Sequence, residues 1–431
     1  MNITGRIKPN DSFFVFITAL IARLLWATFS GLGPEDAADF LRYDEFSDNI
    51  IGSQFNLETK LFILAPLFPY FLALIKIIFS SHWITGIAII QVLISAISVV
   101  YFYKSADLIF RSRSISLTAG LGYALYLPTI YYVHLPSQES LFQSFFVISF
   151  YYLCAYNFKP NLGSLTKFSI FYSLALLTKS HIILMAPFVL LIIATAKRNI
   201  IKIFSNSIVF LALVFTITLP YGIYNLRANG VYVISSSGFG GFFLTGHNDD
   251  FYTWAINTPQ KGTQEYGRLL RREYPILEIT EVSENTTHKQ LQAIYFQRGV
   301  KWIKENPVKT INLLKQNVWN HLRPGYALKY HSLKNWIIAL IFNLPIYILG
   351  YIELLKGLRH PKPHLPAYSV FLMMMLFVLV FYAQNRFRLI TIEPIYLLYA
   401  SPGIASFVKA VLKHPRLAGH LNLYAKGPNH L

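Results

Sequence analysis

The sequence predicts an all-α polytopic membrane protein of about ten transmembrane helices, with one mostly helical outside domain. Three observations predict it. Hydrophobic residues make up 54% of the chain and charged residues only 13%, and the mean hydropathy is +0.43, which describes an integral membrane protein and not a soluble enzyme. Apolar runs recur at the roughly 17–25 residues that a helix needs to cross hydrocarbon. Lys and Arg, 38 against 20 Asp and Glu, gather between those runs, as expected of loops sorted by the positive-inside rule. The net charge of +18 is then membrane topology and contact with anionic lipids, and nucleic-acid binding is a poor reading of it. The one cysteine, Cys154, sits inside an apolar run, so there is no disulfide framework and no cysteine-based metal site.

The first apolar run, 13–32, follows Arg6 and Lys8. It is too long for the apolar region of a signal peptide and lacks a small-residue cleavage site, so it predicts an uncleaved first span with a cytoplasmic N-terminus. Next comes the densely acidic stretch "GPEDAADFLRYDEFSDNIIGSQF", with Glu35, Asp36, Asp39, Asp44, Glu45 and Asp48 against Arg42 alone. Carboxylates crowded beside a membrane repel one another and the anionic lipids, which predicts a task for them; the competing reading is an outside loop that merely avoids the positive cytoplasmic side. The run 61–80 has Pro66 and Pro69 near its start and Lys76 within it. It is expected to lie on the outer face without crossing, because only then do Lys104, Arg111 and Arg113 fall inside.

The remaining expected spans are 84–103, 114–132, 140–157, 165–179, 181–196, 203–221, 335–355, 367–384 and 391–411. With that topology Lys159, Lys167, Lys197, Arg198, Lys202, Arg359, Lys362, Lys409, Lys413 and Arg416 all fall inside. The outside holds the acidic loop, the turn at Glu139 and one long polar segment from about 221 to 334. In that segment Thr286 or Thr287 can cap a helix through Trp302, "ENP" at 305–307 ends it, and Pro307 suits the first turn of the next. Three sections follow: 1–221 with the outside loop 33–83, an extracytoplasmic domain at 222–334, and helices and a cytoplasmic tail at 335–431.

Several residues stand out against this background. On a helix Asp39, Tyr43 and Ser47 share one face at i, i+4 and i+8. A carboxylate there could take a proton as a general base, with Asp36 one turn earlier and Asp44 as a competitor. Glu139, in "HLPSQESLF", reads either as a favourable first-turn acid behind an N-capping Ser137 or as a rigidly held functional carboxylate. Lys179 in "LLTKSHIILMAP" and Arg386 and Arg388 in "FYAQNRFRLITIEPIY" interrupt apolar stretches on the outer side. Snorkelling explains any one of them, whereas together they suggest an anion at headgroup depth, such as a lipid phosphate. "SSSGFGGFFLTGHND" at 235–249 is neither a Walker loop nor a complete Gly-x-Gly-x-x-Gly, so a flexible loop is the default, with His247 and Asn248 as candidate sugar contacts. No His-Glu-x-x-His is present, against a zinc hydrolase.

Taken in order, these features resemble the GT-C superfamily of membrane glycosyltransferases, in particular bacterial relatives of the protein O-mannosyltransferases and lipid A aminoarabinose transferases. The resemblance rests on "DFLRYDEFSDNIIGSQF", "APLFPYFLALIKIIF", "RSRSISLTAGLGYALYLPTIYYVHLPSQESLF", "LALLTKSHIILMAPFVLL", "LPYGIYNLRANG", "FQRGVKWIKENPVKTINLLKQNVW" and "NRFRLITIEPIYLLYASPGIASF". Family members often show Arg-Pro where this chain has Lys179-Ser180, and Pro-Trp where it has Pro220-Tyr221.

The resemblance implies a polyprenyl-phosphate-linked sugar donor and an envelope glycan, lipid or protein acceptor. It implies an active site on the extracytoplasmic side of the inner or plasma membrane. Asp39 would be the base and Glu139 a second acid that orients acceptor or a cation; Lys179, Arg386 and Arg388 would stabilise the leaving phosphate, and Tyr43 would contact substrate. Some members hold a divalent metal between two such carboxylates and others do not, and the sequence leaves both open. The rivals are a transporter or flippase of lipid-linked sugars, which usually shows repeats absent here, and a ligase of polyprenyl-linked glycans.

Overall fold

The computed structural model describes residues 8–30, 40–53, 64–196, 199–257, 286–325 and 333–412. Among them every regular element is helical. Seven helical stretches are long and apolar enough to cross a membrane, and two shorter apolar stretches, Leu162–Thr178 and Ser180–Ala196, accompany them. The chain is an integral membrane protein.

Helix α1 (Pro9–Phe29) opens with proline in its first turn, where the missing N–H costs nothing. Its N-terminal Asp11 receives a bidentate pair from Arg113 at 2.7 Å each, tying α1 to the start of α5 (Arg113–Leu125). Deeper in α1, Arg23 is fully buried. Its guanidinium donates to Ser95 Oγ at 2.7 Å on α4 (Trp83–Phe110) and to the Ala124 carbonyl at 3.1 Å. An intramembrane charge is tolerable only when it faces the bundle and finds acceptors. The expected span 114–132 is interrupted. Helix α5 stops at Leu125, and a one-turn α6 (Leu127–Ile130) starts with Pro128 in its first turn.

Helix α2 (Phe40–Gly52) buries Tyr43, Ser47 and Ile50, the face predicted from the i, i+4, i+8 spacing. It packs on α3 (Leu67–Phe79), whose Lys76 holds Asp44 at 2.8 Å and Asp48 at 2.6 Å. At 13 residues, α3 is about 20 Å long, short of the roughly 30 Å of hydrocarbon. It ends at Ser80, whose φ of 47° puts the chain in the left-handed region. The corner closes because Gly86 leaves room for the Phe79 ring; a Cβ there would stand 2.4 Å from it. We expect α3 not to cross. Cys154 is the sole cysteine and is buried, so a new cysteine can be read without background. His82→Cys is expected to react with an impermeant thiol reagent from outside and Arg111→Cys to be protected. Labelling at 111 with protection at 82 would mean that α3 spans.

The main core joins α1, α4, α5, α7 (Gln138–Phe158), α8 (Leu162–Thr178), α9 (Ala186–Ala196) and four later helices. Lipid is as apolar as leucine, so close packing and small residues hold such a bundle. Buried Ser98, Ser116, Ser144, Ser169 and Ser173 fit this, each returning its hydroxyl to a carbonyl of the preceding turn.

Helix α10 (Ile200–Asn229) runs through the boundary expected at 221/222 and is capped by Gly230 at φ +68°. Beyond it lie α11 (Phe239–Gly246), α12 (Asp249–Tyr252), α13 (His288–Glu305) and α14 (Pro307–Leu322). Thr287 caps α13 in a capping box with Gln290, and Pro307 opens α14, as the sequence predicts. The glycine-rich segment is not the flexible loop expected. It is helical from Phe239, and α11 lies so close to α13 that a Cβ on Gly240 would come within 2.0 Å of the Gln292 carbonyl oxygen. These helices rest on the membrane-spanning bundle. Phe251, Trp302 and Leu313 pack on Tyr382, and Asn317 bridges Val378 O at 3.3 Å and Ala383 N at 3.4 Å. Helices α15 (Leu333–Gly357), α16 (Leu365–Val380) and α17 (Asn385–Leu412) complete the bundle.

Candidate active site

Three helix ends meet at the foot of a cavity. Helix α7 begins at Ser137, which caps it by accepting from the Glu139 amide at 3.4 Å. That places the Glu139 carboxylate at the positive end of the helix dipole, inside the protein and fully buried. Helix α8 stops at Thr178. Lys179 is extended (φ −146°, ψ 118°) before a 3₁₀ turn, Ser180–Met185. This break turns the lysine inward, and its Nζ meets Glu139 Oε1 at 2.8 Å. Arg386 arrives from the first turn of α17, with Nη1 3.8 Å from the same oxygen and Nε donating to Gln384 at 2.9 Å. Ser137 Oγ donates to the other Glu139 oxygen. The Phe387 ring lies beneath both cations, 4.7 Å from Lys179 Nζ and 5.6 Å from the Arg386 guanidinium. A cation at a helix N-terminus opposes the dipole, so Arg386 sits where an anion must compensate.

Above this cluster opens a cavity of about 620 Å³, within the range of small-molecule sites. Lys179 and Arg386 line it, with Tyr43 and Arg42 from α2. Its walls are largely apolar: Ile183, Leu184, Val233, Phe239, Phe242, Phe377, Phe381 and Phe387. One wall is the irregular segment 231–237, pinned by Ser235 Oγ donating to Leu176 O at 2.5 Å. A polar end carries Ser237, His288, Lys289 and Gln292. His288 Nε2 is 2.9 Å from Ser237 Oγ, and burial pushes the imidazole below its usual pKa.

The structure brings together some of the sequence-predicted residues and separates others. Glu139, Lys179, Arg386 and Tyr43 converge. Glu139 underlies the cavity without lining it, and Asp44 is turned to Lys76 on α3. Arg388 does not line the cavity. It is buried in a hub, with Nε 3.0 Å from Glu393 Oε1 and its other nitrogens donating to the carbonyls of Asn320, Arg323 and Gly325. His247 and Asn248 lie outside the cavity too. His247 Nδ1 contacts Phe243 O at 2.8 Å, and Asn248 caps α12 through the Phe251 amide at 2.7 Å and donates to Leu244 O. Asp36 and Asp39 lie outside the described residues; Asp39 directly precedes α2 in sequence.

Sequence reasoning missed His181. It lines the cavity two residues after Lys179, is 7% exposed, and its Nε2 has no hydrogen-bond partner among the described residues. A histidine next to a lysine in an apolar run was the available signal. Among the described residues no group of His, Cys, Asp and Glu is arranged to hold a metal ion. Glu139 does not fit as a ligand, because its oxygens are committed to Lys179 and Ser137.

Residues 64–224 match the family model described as dolichyl-phosphate-mannose-protein mannosyltransferase. That segment contains α3, the helix break at Lys179 and the start of α7. No curated protein sequence matches the chain significantly. Among solved structures the chain is similar to the archaeal oligosaccharyltransferase AglB of Archaeoglobus fulgidus in complex with an inhibitory peptide and a dolichol-phosphate. The TM-score is 0.53 at 13% identity, over 97% of this chain and 52% of that one. The oligosaccharyltransferase of the same organism in complex with zinc and sulfate gives a TM-score of 0.57 at 13% identity, over 97% and 51%. The same enzyme tethered to an acceptor peptide gives 0.56 at 12% identity, over 94% and 50%. The chain therefore spans about half the length of these enzymes. The likeness to GT-C superfamily membrane glycosyltransferases holds in sequence over 64–224 and in fold over nearly the whole chain.

Proposed function

We propose that the chain transfers a sugar from a polyprenyl-phosphate-linked donor to an acceptor hydroxyl of an envelope glycan, lipid or protein. The reaction runs on the extracytoplasmic face of the inner or plasma membrane and inverts the anomeric centre. The observation that carries this reading is the pair of cations, Lys179 and Arg386, held on one buried carboxylate at the foot of an apolar-walled cavity. The walls suit an isoprenoid and the cations suit its phosphate.

In this reading the acceptor oxygen attacks the anomeric carbon while the bond from that carbon to the phosphate oxygen breaks. The phosphate oxygen leaves with the electron pair, and Lys179 and Arg386 stabilise the charge that develops there. His181 offers a further hydrogen bond to the phosphate. Glu139 orients the two cations and takes no part in proton transfer. The acceptor proton passes to a carboxylate of the acidic segment, for which Asp39 is the choice: it precedes α2, whose Tyr43 reaches the cavity.

Asp39→Asn is expected to lower transfer by about 10²–10⁴-fold, because an amide cannot accept the proton at neutral pH. Mass spectrometry of envelope glycans and lipids, from cells carrying wild type, the variant or no gene, names the sugar and measures the loss. An active Asp39→Asn beside an inactive Asp36→Asn or Asp44→Asn would move the base to another carboxylate.

A further inference from the structure

The cavity holds its positive charge at two depths. Lys179 and Arg386 form the inner pair, with side chains only 4% and 15% exposed, and they share the negative charge of Glu139. Arg42 on α2 and Lys289 in the first turn of α13 form an outer pair, both exposed and both lining the same cavity. No carboxylate lines the cavity among the described residues. Neither Arg42 nor Lys289 has an ion-pair partner among them, since Asp44 and Asp48 of α2 are turned to Lys76 and Lys289 makes no salt bridge.

One donor phosphodiester carries one negative charge. Set against the four lining cations, together with buried Glu139 and the proposed base Asp39, it still leaves the outer pair with a net positive charge. The outer pair is also reinforced. Helix α13 presents its first turn to the cavity, with His288, Lys289 and Gln292 all in its lining. The positive end of an 18-residue helix therefore adds to Arg42 and Lys289. His288 is held neutral by burial and offers a hydrogen bond without further charge.

We propose that this outer tier is a second anion site, distinct from the donor-phosphate site, and that it receives a phosphate group on the acceptor. The acceptor is thus a phosphorylated molecule, and the hydroxyl that is glycosylated lies within reach of its own phosphate. This rests on the reading of Lys179 and Arg386 as the donor site. The phosphate could be carried by a lipid or by a soluble or glycan-borne ester, and both present the same chemistry to Arg42 and Lys289.

The test uses the full chain in phosphatidylcholine nanodiscs and three probes: polyprenyl phosphate for the inner site, and inorganic phosphate and short-chain phosphatidic acid for the outer one. Wild type is expected to bind either outer probe while saturated with polyprenyl phosphate. The double variant Arg42→Gln/Lys289→Gln should keep its affinity for polyprenyl phosphate within about twofold and lose outer-probe affinity by on the order of tenfold per charge removed. Lys179→Met should show the converse. A clear preference for phosphatidic acid assigns the acceptor phosphate to a lipid, and equal binding assigns it to a soluble or glycan ester.

Parallel loss of inner and outer probes in the double variant would overturn the proposal, because the four cations would then form one site suited to a diphosphate. So would competition between polyprenyl phosphate and the outer probes in wild type, or unchanged binding of all three by the double variant. If polyprenyl phosphate fails to bind wild type while the outer probes bind through Arg42 and Lys289, the donor reading fails and the outer site stands.

Discussion

Lys179→Met is expected to abolish transfer and to destabilise the protein, and the two effects can be separated. Glu139 is fully buried, and Lys179 is its closest cation at 2.8 Å, with Arg386 at 3.8 Å. Removing one partner of a buried pair leaves an uncompensated charge and costs roughly 3–5 kcal/mol. Losing a cation on the leaving phosphate costs on the order of 10²–10³ in rate. Replacing both partners with apolar groups of similar volume removes the first penalty and keeps the second. The double variant Lys179→Met/Glu139→Leu should therefore unfold near the wild-type temperature and remain inactive. Thermal unfolding in detergent and transfer from a polyprenyl-phosphate-linked sugar give the two readouts. A double variant that transfers sugar at the wild-type rate would show that this pair is structural and that the phosphate binds elsewhere.

Arg388→Met is expected to destabilise the protein by a similar amount, whereas Arg386→Ala should leave stability nearly unchanged and weaken use of the donor. The two arginines differ because they end in different places. Arg388 is 1% exposed, and so is the Glu393 it pairs with. Glu393 also accepts from the hydroxyls of Tyr347 at 2.9 Å and Tyr126 at 2.8 Å, so one carboxylate joins α17 to α15 and to the corner between α5 and α6. The Arg388 guanidinium satisfies the carbonyls of Asn320, Arg323 and Gly325 at the end of α14. Its loss strands a buried carboxylate and those acceptors together, each a costly omission in a dry interior. Arg386, by contrast, is partly open to the cavity, and Glu139 keeps Lys179 without it. Losing its charge-assisted contact to phosphate should cost roughly tenfold to several hundredfold in rate. Thermal unfolding of each variant, beside donor affinity and turnover, checks the division. Equal loss of donor affinity with unaltered stability in both variants would restore both arginines to the phosphate site.

Much of this molecule was legible in its residues. Composition and the recurrence of apolar runs decide an all-helical membrane bundle, because in hydrocarbon every backbone polar group must be paired within its own helix. Proline and threonine positions located the starts of α13 and α14, since capping is local chemistry. The i, i+4, i+8 rule selected the buried face of α2 with Tyr43 and Ser47, because a helix face depends on spacing alone.

What spacing alone could not decide is which charge meets which. Arg386 and Arg388 look alike in sequence, yet residues two apart on a helix point to different sides, so one reaches the cavity and the other the hub. Only the packing of α14, α15 and α17 says which. His247 and Asn248 read as candidate sugar contacts, but their hydrogen bonds go to nearby backbone, to the carbonyls of Phe243 and Leu244 and to the Phe251 amide. Glu139 and Lys179 lie 40 residues apart, and their pairing exists only because α8 stops at Thr178 where α7 begins. Long-range electrostatic pairing is a property of which helix ends are brought together, and that is settled by packing across the whole bundle and not by any stretch of the chain.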